Sequence, residues 1–323
     1  MTLELTASAR ALETFEIDPK LLVRDQVCLA YFGLELGALG AAGDVDPAFR
    51  HELGPLQVNW QRLGSAMRAA QAGGMDFVSI DSRFLLRADI DPREAMLDGA
   101  RAAARLAPYS TGGILVEVPG VPKLMNQAID LIARQVDGWG GLIFHLNDSS
   151  DFLGLARVAA KAREAGVKLL VIISEAELVP QRVDVIVPYA DAIELRCPDL
   201  LVAHRARFSL REAAEKMGKE IHVYAQVGVV ISATESAAQD RAELVGSIHV
   251  GNLFGGRMRV LGTVYDVADA VEAWVGMGAA DGVWFMPCSL PSDQSSILKG
   301  VVPLMRARTR TWREKNSYRS EHK

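Results

Sequence analysis

The chain has 323 residues, half of them hydrophobic, 23% charged and 7% aromatic, with a formal charge of −5. That length holds one large α/β domain or two ordinary ones, and the composition is globular rather than disordered. A mildly acidic chain without a basic stripe argues against nucleic acid as the main partner. No apolar run approaches the ~18–20 residues of a membrane span, and MTLELTASARALETFEIDPK lacks the layout of a signal peptide, so cytoplasm is the expected location.

In chain order, residues 26–36 (QVCLAYFGLEL) read as a first strand, and GAAGDVDPAFRHELGP as a long loop. WQRLGSAMRAAQAGG is a helix with a glycine stop, and MDFVSID a second strand. Residues 92–107 are predicted helical, with Asp91 before Pro92 as N-cap. TGGILVEV makes strand three, and Pro122 opens the helix leading to strand four, GGLIFHLN. Asp148, Ser149 or Ser150 caps the helix DFLGLARVAAKAREAG, which delivers KLLVIIS as strand five. AIELRC is strand six. A long helix precedes strand seven, IHVYAQVGVVIS, and Thr234-Glu235 begins the next helix. GNLFGGRMRVLG reads as a glycine-rich loop. Val264, Val267, Ala268, Val271, Trp274 and Val275 recur three and four apart on a last amphipathic helix. Gly276 and Gly278 stop it, and strand eight, VWFM, follows.

Eight apolar strands, each followed by a helix or a helix-bearing excursion, predict a (β/α)8 barrel. A doubly wound sheet is the rival, but no G-x-G-x-x-G turn follows the first strand. Nothing divides the chain, so the expectation is a single domain over 1–323, with 1–25 and 309–323 as peripheral tails. Closure requires Val283–Met286 to lie beside Val27–Phe32. Cys28, Cys197 and Cys288 give neither a disulfide framework nor metal spacing. His145, Asp148 and Asp151 suit a helix cap better than a ligand set, so no metal is expected.

The stretch LGTVYDVADAVEAWVGMGAADGVWFMPCSLP, continuing through SSILKGVVPLMRAR, resembles the end of bacterial-luciferase-like flavin monooxygenases. WQRLGSAMRAAQAGGMDFVSID, YADAIEL and VVISATESAAQ are similar to earlier segments of that family, and the nearest branch is that of the nitrilotriacetate monooxygenases. The resemblance implies a luciferase-like TIM barrel using reduced FMN, supplied by a separate flavin reductase, to oxidise a small organic substrate with O2. It also implies a homodimer, for which the Ala-rich helix Pro92–Ala107 offers close approach. Two departures stand out: a short connection between strands four and five, and VPGVP where the family often places a His-Pro pair. A deazaflavin-dependent oxidoreductase and a non-catalytic barrel that binds a partner or small ligand remain the alternatives.

In such a barrel the site lies at the carboxyl ends of the strands. There the chain offers Glu35, Asp81, Glu117, His145, Asn147, Ser174, Glu194, Arg196, Gln226, Cys288 and Ser289. Asp81 matches the family's flavin-contacting Asp, and Asn147 suits a pyrimidine edge. Ser174 matches its phosphate-contacting Ser, although Glu175 and Glu177 repel a dianion. The loop GNLFGGR, with Gly255, Gly256 and Arg257, is a second place for phosphate. His145 is the candidate proton shuttle, sharing a face with Ile143 and Asn147. Phe32, Glu117 and Trp284 are candidate substrate contacts. Cys288 reads as packed beside Met286 rather than nucleophilic.

Overall fold

The computed structural model describes residues 31–39, 41–42, 57–133, 140–146, 151–178, 180–248, 254–290 and 292–309. Cys28, Asn147 and nearly all of the two expected tails lie outside the described residues. The strands are β1 (Tyr31–Glu35), β2 (Ala41–Ala42), β3 (Phe77–Ile80), β4 (Phe84–Leu85), β5 (Gly113–Glu117), β6 (Gly140–His145), β7 (Val167–Ser174), β8 (Ala192–Arg196), β9 (His222–Ile231), β10 (Met258–Gly262) and β11 (Gly282–Pro287). The helices are α1 (Trp60–Ala72), α2 (Asp98–Leu106), α3 (Pro122–Ala133), α4 (Phe152–Glu164), α5 (Pro180–Ile186), α6 (Leu200–Lys216), α7 (Glu235–Gly246), α8 (Val264–Gly276) and α9 (Ser292–Ser296).

β1, β3, β5, β6, β7, β8, β9 and β11 pair in that order, all parallel, and β11 pairs back onto β1. The sheet is therefore a closed (β/α)8 TIM barrel, with the last strand beside the first as closure demands. Phe32 stands opposite Val283, and Leu34 opposite Phe285.

Strand alternation divides the core into two layers. Outward residues such as Leu34, Val78, Val116 and Phe285 pack under the helices. Inward residues Phe77, Leu115, Ile143, Leu170, Ile172, Ala192, Tyr224 and Trp284 fill the barrel as an apolar plug. Gly33 makes room for it, since a Cβ there would stand 2.2 Å from the Phe77 ring. Phe77 meets Trp284 edge-on at 5.2 Å and Tyr224 at 5.4 Å, the geometry the aromatic quadrupole favours.

Three aspartates key strand starts to their neighbours. Asp76 exchanges bonds with Phe32, its carboxylate accepting from the Phe32 N–H at 2.7 Å and its own N–H donating to the Phe32 carbonyl at 2.8 Å. Asp191 does the same with Leu169, and Asp281 with Val223. Arg207 pairs with Asp281 as well.

Several local expectations are corrected. Asp151, whose side chain accepts from the Gly154 N–H, caps α4; Asp148, Ser149 and Ser150 lie outside the described residues. The helix expected from Pro92 begins at Asp98, because Asp91 closes a separate turn by accepting from the Arg93 N–H at 2.8 Å. Its Gly99, Ala100, Ala102, Ala103 and Ala104 are buried within the chain, so these small residues serve internal packing. Thr234 caps α7 as expected. The glycine-rich stretch holds a strand, β10, where Met258 and Val260 are buried and Arg259 is exposed. β9 outruns β8, and its upper half, Val227–Ile231, pairs with β10 instead.

Candidate functional site

The alternation that builds the plug continues upward and changes chemistry. Above the plug, the inward positions carry Glu35, Ser79, Asp81, Glu117, His145, Glu194, Arg196 and Gln226. Glu35, Ser79, Asp81, Glu194 and Gln226 are all buried. Buried polar groups need partners, so this layer is where the sequence departs from what folding alone would select.

One network spans the first two barrel strands. Glu35 Oε2 accepts from Ser79 Oγ at 2.6 Å, and Ser79 Oγ accepts from Trp284 Nε1 at 2.6 Å. Glu35 Oε1 accepts from the Gly37 N–H at 2.6 Å and the Asp81 N–H at 3.1 Å. Burial, then the neighbouring Asp81, push the Glu35 carboxyl up to about 8, against these hydrogen bonds. Burial also raises Asp81, opposed by Arg83, whose Nε donates to Asp81 Oδ2 at 2.6 Å.

A second network centres on Arg196. Its Nε donates to Glu194 Oε1 at 2.6 Å, and its Nη2 lies 3.5 Å from Glu117 Oε2. Its Nη1 lies 3.2 Å from His145 Nε2. A guanidinium only donates, so Nε2 presents its lone pair and the ring proton sits on Nδ1. Burial and then Arg196 hold His145 below its ordinary value. Arg257 reaches the same mouth from the glycine loop. Its Nε donates to the Gln226 side chain, and its Nη1 to the carbonyls of Phe254 at 3.2 Å and Gly255 at 3.4 Å.

The structure thus brings Asp81, Glu117, His145 and Arg257 to one end of the barrel. Phe32 and Trp284 lie elsewhere, while Ser174 ends β7 opposite Arg196 at the same mouth. Phe32 faces outward, its ring stacked 6.2 Å from Phe285 beneath the helices; it is one position out of phase with the lumen. Trp284 faces inward but is fully enclosed in the plug, so it is floor rather than pocket wall. Ser174 Oγ donates to Glu177 Oε2 at 2.6 Å in a capping box, a use that S-E-A-E spells out in the sequence. Gly255 and Gly256 are exposed; residues 251–253 of their loop lie outside the described residues. Cys288 packs on the Met286 cluster, and burial pushes its thiol up to about 11, which makes it unreactive.

Ser79 is the site residue that sequence reasoning missed. Its signal was the V-S-I-D alternation, which turns a hydroxyl inward two residues before Asp81. A second latch also went unread. Asp293 is fully buried and accepts from the Ile231 N–H at 3.0 Å, the Ser289 N–H at 2.9 Å and Arg241 Nη1 at 3.1 Å.

The donor set can be tested against a flavin. A pyrimidine edge carries two carbonyl acceptors and one N–H donor, and the Asp81–Arg83 pair offers an acceptor and donors to match. The phosphate fits less well. The turn after β7 holds Glu175 and Glu177, and the start of α9 is already filled by the Asp293 carboxylate. The residues present fit the ring edge of the cofactor, not its phosphate at either turn.

A parallel barrel with a polar, ion-paired mouth at the carboxyl ends of its strands is the framework of an α/β barrel enzyme class. The chain shares the fold of luciferase-like flavin monooxygenases. EDTA monooxygenase from Chelativorans sp. BNC1 superposes with a TM-score of 0.63 at 12% identity, over 86% of this chain and 94% of that one. A riboflavin lyase, solved with modified FMN and riboflavin as substrate, gives 0.61 at 13% identity, over 87% and 92%. A long-chain alkane monooxygenase gives 0.58 at 11% identity, over 86% and 91%. No protein-family model matches the sequence, and no curated protein matches it significantly.

Proposed function

We propose that the protein is a flavin-dependent monooxygenase that oxidises a small polar organic compound with reduced FMN and O2. The observation that carries this reading is the convergence of polar side chains from β1, β3, β5, β6, β8 and β9, several of them charged, above one apolar floor. The flavin, when bound, supplies the electrons that activate O2. The chain's own groups orient and exclude. Asp81 and Arg83 hold the ring edge, while the plug keeps water from entering below. His145 accepts a proton from the reacting substrate once its Nε2 lone pair is released from Arg196 Nη1, which holds it at 3.2 Å in the free protein. A separate reductase partner and a homodimer belong to the same reading.

Titration of the purified protein with reduced FMN under anaerobic conditions, followed by O2, tests it. Saturable binding is expected in the low micromolar range, about −8 kcal/mol. No binding at tens of micromolar would sink the proposal, and preference for a deazaflavin would move it to hydride transfer. Light scattering at twice the 35.0 kDa chain mass is the expected result for the dimer.

A further inference from the structure

Two opposite charges at the mouth lack a charged hydrogen-bond partner among the described residues. Arg196 is held by Glu194, and Asp81 by Arg83, both at hydrogen-bond distance. Arg257 differs, because its acceptors among the described residues are all neutral: the Gln226 amide and the carbonyls of Phe254 and Gly255. Glu117 has the complementary deficit. Arg196 at 3.5 Å and His145 at 3.9 Å are its ion-pair contacts, and no described donor gives it a hydrogen bond.

Both groups remain within reach of a ligand. Arg257 is only partly buried, and the Glu117 side chain keeps 11% of its surface exposed. They also act on each other, since Glu117 is among the charges that raise Arg257 against the effect of burial. A partly desolvated cation facing only neutral acceptors retains much of its desolvation penalty. A carboxylate relieves it through paired N–H···O bonds on the guanidinium fork. Glu117, an acceptor without a hydrogen bond, suits the N–H groups of an ammonium.

We propose that the mouth recognises a small zwitterion, an amino carboxylate whose carboxylate pairs with Arg257 and whose ammonium lies against Glu117. This rests on the monooxygenase reading and names the class of its substrate. Arg257 has both acids, Glu194 and Glu117, and cations, Arg196 and Arg83, near enough to act on it, so a ligand carrying one charge of each sign suits this mixed field better than one of a single sign.

Calorimetric titration of the full chain without flavin, at pH 7, tests the proposal. The probes are 4-aminobutanoate and 6-aminohexanoate as zwitterions, hexanoate and hexylamine as single-charge controls, and citrate as the polyanion. At least one zwitterion is expected to bind about tenfold more tightly than either single-charge control. Arg257→Gln should weaken the zwitterion and hexanoate about tenfold and leave hexylamine unchanged. Glu117→Gln should do the reverse. Citrate binding more tightly than both zwitterions, or zwitterions binding no better than the controls, would overturn the proposal on the unsubstituted protein, whatever the variants do. Zwitterion preference without flavin binding would remove the monooxygenase reading and leave this inference. Flavin binding without zwitterion preference would remove this inference alone.

Discussion

The floor and the mouth of the barrel are built from the same strands, a few residues apart, by opposite chemistry. The floor needs only shape: Phe77, Leu115, Ile143, Tyr224 and Trp284 fill space with few polar demands. The mouth carries acids and arginines, most of them ion-paired with one another. A barrel could close over an apolar mouth as readily as over this one. The ionic layer is therefore not required by folding, and its retention points to use.

The sharpest way to break that comparison is at the floor. Trp284→Ala removes a fully buried ring and leaves the Ser79 hydroxyl without its donor. It should cost about 3–5 kcal/mol, measured by denaturant unfolding. A loss under about 1 kcal/mol would mean that the floor is not a packed plug.

Next in size is Arg196→Met, which strands Glu194, a carboxylate with 1% of its side chain exposed. A loss of about 3 kcal/mol is expected, most of it from the uncompensated acid. The same variant should raise the His145 titration followed by NMR, because the guanidinium that depresses it is gone while Glu117 and Glu194 remain.

A pH dependence probes the same layer from the side of Glu35. The Glu35 carboxyl is raised in the folded state to about 8 from an ordinary 4.5. The folded protein therefore binds this proton more tightly than the unfolded chain does. Its stabilising contribution is complete below about pH 4.5 and is lost as pH rises through about 8. Glu35→Gln mimics the protonated acid. The stability difference between variant and parent should thus shift in the variant's favour from pH 5 to 8.5, and a flat difference would mean that Glu35 is ionised throughout.

Much of the barrel was legible because parallel strands buried on both faces read as plain apolar runs, KLLVIIS above all. Strand phase was less legible. Phe32 and Trp284 were both placed at the site, yet one faces the helices and the other lies beneath the mouth. The inward set is fixed by which neighbour each strand meets, as Gly33 yielding to the Phe77 ring shows. β10 was hidden because its M-R-V-L alternation is brief and follows glycines. Within the site, the strand-end acids and His145 could be named from the pattern alone. Arg257 meeting Gln226, 31 positions earlier, could not, because only the closed barrel brings them together.

The three aspartates at the strand starts carry a further consequence. They precede the second, sixth and eighth strands of the barrel, and each grips the strand before it through the same pair of bonds, its carboxylate accepting from one backbone N–H and its own N–H donating to that residue's carbonyl. The remaining even position, before Gly140, has Trp139 instead. The repeating unit of this ring is therefore a pair of strands rather than a single one, giving four quarters of which three are marked alike. The aspartates pin the register at three of the four even seams. The other seams are held by their backbone ladders.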